Sequence, residues 1–277
     1  MEADVWHFDD ELYVGHSLAA LTVNRTLRSL YVDPIIKLLD TMNPSTDFTR
    51  AVGQGVYDVD PKQTLVLLVD FKTNGAETFP VVSEQLEGLR EKGYLSFWDG
   101  DKVNQRAVTV VGTGNTPFDM LVSNTTYRDI FFDAPLSKLW ELPKGLLAAS
   151  DSDNGTSLSA SSKTASNQGK GGTDSITSSD VFNTSTSYYA STSFASTVGN
   201  VWRGHLTPRQ MDKIRGQIRG AKRRGLKVRY WDTPAWPISL RNHIWHVLVK
   251  EGADVLNVDD LRGAAMEDWR RRTHEWW

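Results

Sequence analysis

The chain contains no cysteine. Disulfides, thiolate metal sites and cysteine nucleophiles are thereby excluded, while the compartment stays open. Long apolar runs are missing as well. None approaches the about 18 residues of a membrane-spanning helix, and the N-terminus carries no apolar signal-peptide core. Nor does charge of one sign dominate: 31 Lys and Arg against 34 Asp and Glu leave a formal charge of −3. No clustered basic surface for nucleic acid is expected from that balance. The basic runs Lys222-Arg223-Arg224 and Arg270-Arg271-Arg272 fall near expected helix C-termini, where the helix dipole favours cations, and read as solvated helix ends. A glycine-rich phosphate loop is also lacking. Gly112-Thr-Gly114-Asn115 has none of the rest of a nucleotide fingerprint, and no G-x-S-x-G nucleophile elbow occurs.

What is present is alternation. Apolar strand-like runs, at Glu2–Trp6, Leu65–Lys72, Ala107–Gly112, Asp129–Phe132, Ser187–Phe194, Leu226–Asp232 and Val255–Val258, are separated by helical patterns. That order predicts an α/β fold with a parallel sheet. Several strands end on polar residues, Asp70, Lys72, Asn115, Asp133, Asp232 and Asn257, as in a TIM-type (β/α)₈ barrel, whose chemistry sits at the C-terminal strand ends. Asp33 as N-cap with Pro34 in the first turn, Thr207-Pro208, Pro237 and Asp259-Asp260 mark helix starts, with Gly225 and Gly252 as stops and the last helix running toward Arg272. Tyr94–Val110, with Asp99-Gly100 at its middle, predicts a hairpin whose second strand joins the main sheet.

At 277 residues the chain suits one barrel domain spanning residues 1–277 or two smaller domains, and we read it as the single barrel. Residues from about 150 to 186 turn to Ser, Thr, Gly, Asn and Asp. They cannot bury enough apolar surface to offset ordering entropy, and predict a disordered insertion between strands. The sequons at Asn24, Asn124, Asn154 and Asn183 carry little weight, since three-residue motifs arise by chance.

The chemistry-bearing group lies in the first residues. Glu2 and Asp4, at i and i+2 of a strand, point the same way and can share one hard cation through oxygen. A turn at Asp9-Asp10 leads into a second extended run ending at His16, a residue type that moves protons at neutral pH. Asp70 closes the continuous apolar run Leu65–Val69, and Lys72 shares its face, a pairing suited to a cation and an anionic phosphate oxygen. Each residue alone reads as well as a surface turn or cap; the set, placed at strand ends, reads as a site. His7 has the wrong parity, His243 and His246 lack a convincing metal companion, and His205 and His274 fall in loop and tail.

These motifs resemble a known group. Glu2-Ala-Asp4-Val-Trp followed by Leu12-Tyr-Val-Gly-His16 is similar to the Glu-x-Asp…His signature of the phospholipase-C-like phosphodiesterase superfamily, which includes glycerophosphodiester phosphodiesterases. Val69-Asp70-Phe-Lys72 resembles its third-strand metal ligand and phosphate-facing lysine, and Tyr230-Trp231-Asp232 its seventh-strand aromatic. Together with Ser187-Tyr-Tyr-Ala-Ser and Val201-Trp-Arg-Gly204, the wording resembles most a fungal subgroup, the altered inheritance of mitochondria protein 6 group. The resemblance implies a TIM barrel, Mg²⁺ or Ca²⁺ on Glu2, Asp4 and Asp70, catalytic His16 and Lys72, and a pocket lined by Trp231, Trp236 and Asn257. The substrate it implies is a phosphodiester or lipid head group. Superfamily members carry another catalytic histidine on a strand ahead of Glu-x-Asp. The resemblance therefore implies a barrel lacking its first strand and helix, an N-terminally truncated phosphoric diester hydrolase. The alternatives are a non-catalytic phosphate- or head-group-binding relic and a sugar-processing barrel built on two carboxylates; the Asp70–Lys72 pairing speaks against the second.

Overall fold

The protein is described by a computed structural model covering residues 1–44, 53–143, 178–202 and 204–270. It divides into two compact units. The first holds residues 1–133 and the described part of 166–188, the second the described parts of 134–165 and 189–277. The fold class is α/β, as the alternation of elements predicts. Among the described residues eight strands carry it, and every pairing observed between them is parallel except one hairpin.

In the first unit β1 (Glu2–Phe8) and β2 (Glu11–Val14) form that hairpin, with Phe8 opposite Glu11. Asp9 and Asp10 both adopt positive φ, 48° and 62°, the geometry of a two-residue turn that matches strand twist. A wide helical turn at Arg28–Val32 runs without a break into α1 (Asp33–Met42). Asp33 is thus already inside a helix rather than its N-cap, which corrects the sequence expectation. Pro34 has no N–H to give, and the preceding turn of wider hydrogen bonding absorbs that gap. β3 (Leu65–Phe71) follows, then α2 (Gly75–Gln85), where the Asn74 side chain caps the Ala76 N–H, and α3 (Glu87–Glu91).

The hairpin expected across Tyr94–Val110 is smaller than predicted. β4 (Phe97–Trp98) and β5 (Val103–Asn104) form a two-stranded sheet of their own, and Trp98 of β4 also bridges Arg128. The strand that joins the main sheet is β6 (Val108–Gly114), which begins after Gln105-Arg106-Ala107. Asp99 explains the short turn: its carboxylate accepts from the Asp101 and Lys102 N–H groups, which holds it at a pKa of about 2. After α4 (Phe118–Ser123) comes β7 (Ile130–Pro135). The order within this unit is β2-β1-β3-β6-β7. β3 and β6 are buried along nearly their whole length, the signature of parallel strands covered on both faces.

Most of the Ser/Thr-rich stretch lies outside the described residues. Its last residues are described, and there Phe182 is buried against Phe118 and Phe132 with ring centroids at 5.3 and 6.0 Å.

In the second unit β8 (Ser187–Ser193) pairs with β9 (Lys227–Trp231), and β9 with β10 (Val255–Leu256). After β8 a short α5 (Phe194–Thr197) precedes α6 (Pro208–Arg223), which opens on a capping box between Thr207 and Gln210. α7 (Ile238–Glu251) ends at Gly252 in the left-handed region, φ 101°. α8 (Leu261–Met266) is capped by Asp260 as expected but stops well before Arg272. Lys222 pairs with Asp254, and Arg223 and Arg224 both reach Glu141. Among the described residues, no helix is long and apolar enough to cross a membrane.

Candidate metal centre

Register builds the site. In the parallel pairing of β1 with β3, Asp4 stands opposite Asp70, so two carboxylates on neighbouring strands face each other. Glu2 is two residues earlier on β1 and projects from the same face. One ligand oxygen from each of Glu2, Asp4 and Asp70 falls within 4.8 Å of the others. Among the described residues this is the only group of three or more acidic, histidine or cysteine side chains so placed.

Lys72 completes the cluster. Its Nζ donates to Asp70 Oδ2 at 2.6 Å and lies 3.0 Å from Asp4 Oδ1. Burial works against its charge, but the hydrogen bonds and charges of Asp70 and then Asp4 outweigh that, and its pKa lies above the ordinary lysine value. Lys72 is an ammonium throughout the neutral range. Three carboxylates against one ammonium leave two negative charges, the complement of a divalent cation. The donor set is all oxygen, which suits a hard ion such as Mg²⁺ or Ca²⁺.

His16 is delivered by the hairpin. The Gly15 N–H donates to the Asp4 carbonyl at 3.1 Å, and Trp6 Nε1 donates to the Gly15 carbonyl at 2.7 Å. His16 Nδ1 then sits 3.3 Å from Asp4 Oδ2. Its ring is otherwise open to solvent, with the side chain 95% exposed.

Two contributors escape the sequence reading. The Tyr31 hydroxyl donates to the Glu2 carbonyl at 2.7 Å and fixes the strand edge beside the carboxylates. Burial, and next the charge of Asp4, push its pKa up. No sequence motif marks it. Gly114 closes β6 at φ 66°, and a Cβ there would overlap Asp70 Oδ1. Only glycine lets the backbone come so near the carboxylate. Behind Asp70, Thr113 donates to the fully buried Asp133 at 3.0 Å.

The remaining expected residues lie in the second unit. Trp231 ends β9 with its indole N–H buried and without a hydrogen-bond partner among the described residues. Trp236 is 80% exposed, and Asn257 accepts from Arg229 Nη2 at 2.6 Å. Asp232, in the left-handed region, accepts from the Ser193 hydroxyl. His246 bonds Glu267 at 2.9 Å. Burial, then the neighbouring His205 and His246, lower the pKa of His243.

Residues 1–133, which carry the whole carboxylate cluster, match the sequence profile of the AIM6-like phosphodiesterase domain. Over 95% of its length the chain is 37% identical to an altered inheritance of mitochondria protein 6 homolog from Arthroderma benhamiae, and it covers 73% of that protein. The chain belongs to this family. Altered inheritance of mitochondria protein 6 of Lachancea thermotolerans is 30% identical over 94% of the chain, which spans 58% of that relative. The Eremothecium gossypii protein is also 30% identical over 94% of the chain, which spans 61% of it. The chain thus spans about three fifths of the length of these two fungal relatives. No solved structure matches it. The family is one of phosphodiesterase-like domains, and the acidic cluster that could hold a cation lies within the matched residues.

Proposed function

We propose that the chain is a metal-dependent phosphoric diester hydrolase acting on glycerophosphodiesters or phospholipid head groups. The single observation that carries this reading is the convergence of Glu2, Asp4, Asp70 and Lys72 at one point of the β1–β3 pairing. Glu2, Asp4 and Asp70 would hold Mg²⁺ or Ca²⁺. When bound, such an ion supplies positive charge to a phosphoryl oxygen and aligns the diester.

The chain's own groups do the rest. An ammonium has three donors; Lys72 directs two to Asp70 and Asp4, and its third serves a non-bridging phosphoryl oxygen. Charge developing there is met by a fixed cation. His16, with Nδ1 turned to Asp4, presents Nε2 to solvent as a general base. A water or a substrate hydroxyl loses its proton to Nε2 as its oxygen bonds to phosphorus. The bond from phosphorus to the leaving oxygen breaks, and that oxygen takes a proton from solvent. Trp231 and Asn257 are assigned to the head-group pocket on the family resemblance.

A second reading is a phosphate- or head-group-binding protein without turnover. The loose tether of His16, one 3.3 Å contact on a side chain 95% exposed, favours it. Carboxylates and Lys72 suffice for binding alone.

Hydrolysis of a chromogenic phosphodiester, with Mg²⁺ and with EDTA, separates the two. The hydrolase reading expects turnover that EDTA abolishes and that Asp70→Asn lowers by about 10²-fold or more. A folded chain that binds the cation and shows no turnover supports the binding reading. Turnover indifferent to both EDTA and Asp70→Asn removes the metal from the account.

A further inference from the structure

The loop that begins at His16 carries features the chemistry does not use. Between Val14 and Arg25 the chain leaves and returns through a closed neck. The Val14 N–H donates to the Arg25 carbonyl at 2.8 Å, and Tyr13 bridges to Thr26 just outside it. Inside, the loop is held by its own turns: Ala20 N–H to the Ser17 carbonyl, Leu21 N–H to Leu18, and Arg25 N–H to Thr22. Leu21 folds back over Gly15.

Leu18 and Val23 do the opposite. They are 59% and 78% exposed, and Ala19 and Ala20 between them are exposed too. Isolated surface leucines need no explanation, but apolar tips displayed on one pinned loop do. Charge adds to the pattern. No acidic residue occurs from Leu12 to Val32, whereas Arg25 and Arg28 are both exposed. The acidic turn at Asp9-Asp10 sits at the far end of β2 from this loop.

Apolar tips beside guanidinium groups are the chemistry of an anionic lipid interface: the tips enter the acyl boundary and the cations pair with head-group charge. An apolar protein groove would use Leu18 and Val23 but gives no role to the two arginines. The loop is also coupled to the site. It starts on the histidine that meets Asp4, and the Gly15 N–H at its root donates to the Asp4 carbonyl.

We propose that residues 15–25 form a docking loop for an anionic lipid bilayer. Resting on the phosphodiesterase reading above, the diester offered to Glu2, Asp4 and Asp70 is then a phospholipid head group at that surface.

Co-sedimentation of the full chain with lipid vesicles tests this. Two compositions are needed, phosphatidylcholine alone and phosphatidylcholine with about a third phosphatidylserine. The chain is expected to pellet with the anionic vesicles and to be released by salt. The double variant Leu18→Ser with Val23→Ser is expected to lose about tenfold in binding. Arg25→Gln with Arg28→Gln is expected to reduce binding to anionic vesicles down to the level seen with phosphatidylcholine. Thermal unfolding of each variant confirms that it is folded. Equal binding of the folded serine variant overturns the proposal, as does a wild-type chain that pellets with neither vesicle. So does a serine variant whose only change is loss of self-association in analytical ultracentrifugation. Turnover of a soluble chromogenic diester keeps the two claims apart. The serine variant is expected to retain it. Vesicle binding that persists where no diester is hydrolysed leaves the docking loop standing and overturns the hydrolase reading.

Discussion

His16 shows how much one residue's surroundings decide. A histidine in a loop is ordinarily a solvent-facing bystander, and this one is nearly fully exposed. What distinguishes it is the Gly15–Asp4 hydrogen bond, which places the ring against a carboxylate of the cluster. We expect His16→Gln to lower diester turnover by about 10²- to 10⁴-fold while leaving cation affinity unchanged. Stopped-flow turnover together with calorimetric binding checks both halves, and unchanged turnover removes His16 from the acid–base role. Two tyrosines far from this chemistry give a pH prediction. Burial and the neighbouring carboxylates Asp40 and Asp129 push Tyr94 and Tyr127 up to about 12, from the ordinary tyrosine value of 10.0. A raised phenol contributes stability below its unfolded pKa and loses it as pH rises through the folded value. The melting temperature should therefore fall between pH 10 and about 12. Tyr127→Phe, which cannot ionise, should flatten that fall.

Among the elements, the β1–β3–β6 strands matter most to function. β1 supplies Glu2 and Asp4, β3 supplies Asp70 and leads to Lys72, and β6 supplies the glycine that leaves room for Asp70. Gly114→Ala forces a Cβ into the Asp70 carboxylate at a backbone angle that alanine resists. It should cost about 1–3 kcal/mol of stability and weaken cation binding by tenfold or more. Chemical denaturation and cation titration of the variant measure the two effects; wild-type values for both would show that the close approach is unimportant. The same elements show what was legible in the sequence. The apolar runs behind β1, β3, β6, β7, β8 and β9 were visible because period and burial are written in side-chain type. Thr207-Pro208 announced its helix because the capping signal is local. The start of α1 was misplaced because a wide turn upstream makes Asp33 internal, and that turn leaves no mark in composition. The Tyr94–Val110 hairpin was overextended because its pairing stops at Asn104, and Gln105–Ala107 separate it from β6.

For the molecule as a whole, the candidate site was largely readable because its residues sit within a few positions of strand ends. Register alone then brings Asp4 opposite Asp70. Tyr31 was not readable, since its link to Glu2 depends on how the turn before α1 lies against the strand edge. The profile match over residues 1–133 takes in every residue of this cluster. The central claim is that the excess negative charge of the cluster is a divalent-cation site. Asp70 is 1% exposed, so replacing it leaves Lys72 without its nearest counter-charge. Asp70→Asn should also destabilise the chain by about 2 kcal/mol, less than for a fully buried pair because Lys72 is partly exposed. Calorimetric titration of the chain with Mg²⁺ and with Ca²⁺, alongside Glu2→Gln and Asp70→Asn, tests the claim most directly. One saturable site in the wild-type chain, weakened by about tenfold or more in each folded variant, is the predicted result. A wild-type chain that binds neither ion, or folded variants that bind as well as it does, would contradict it.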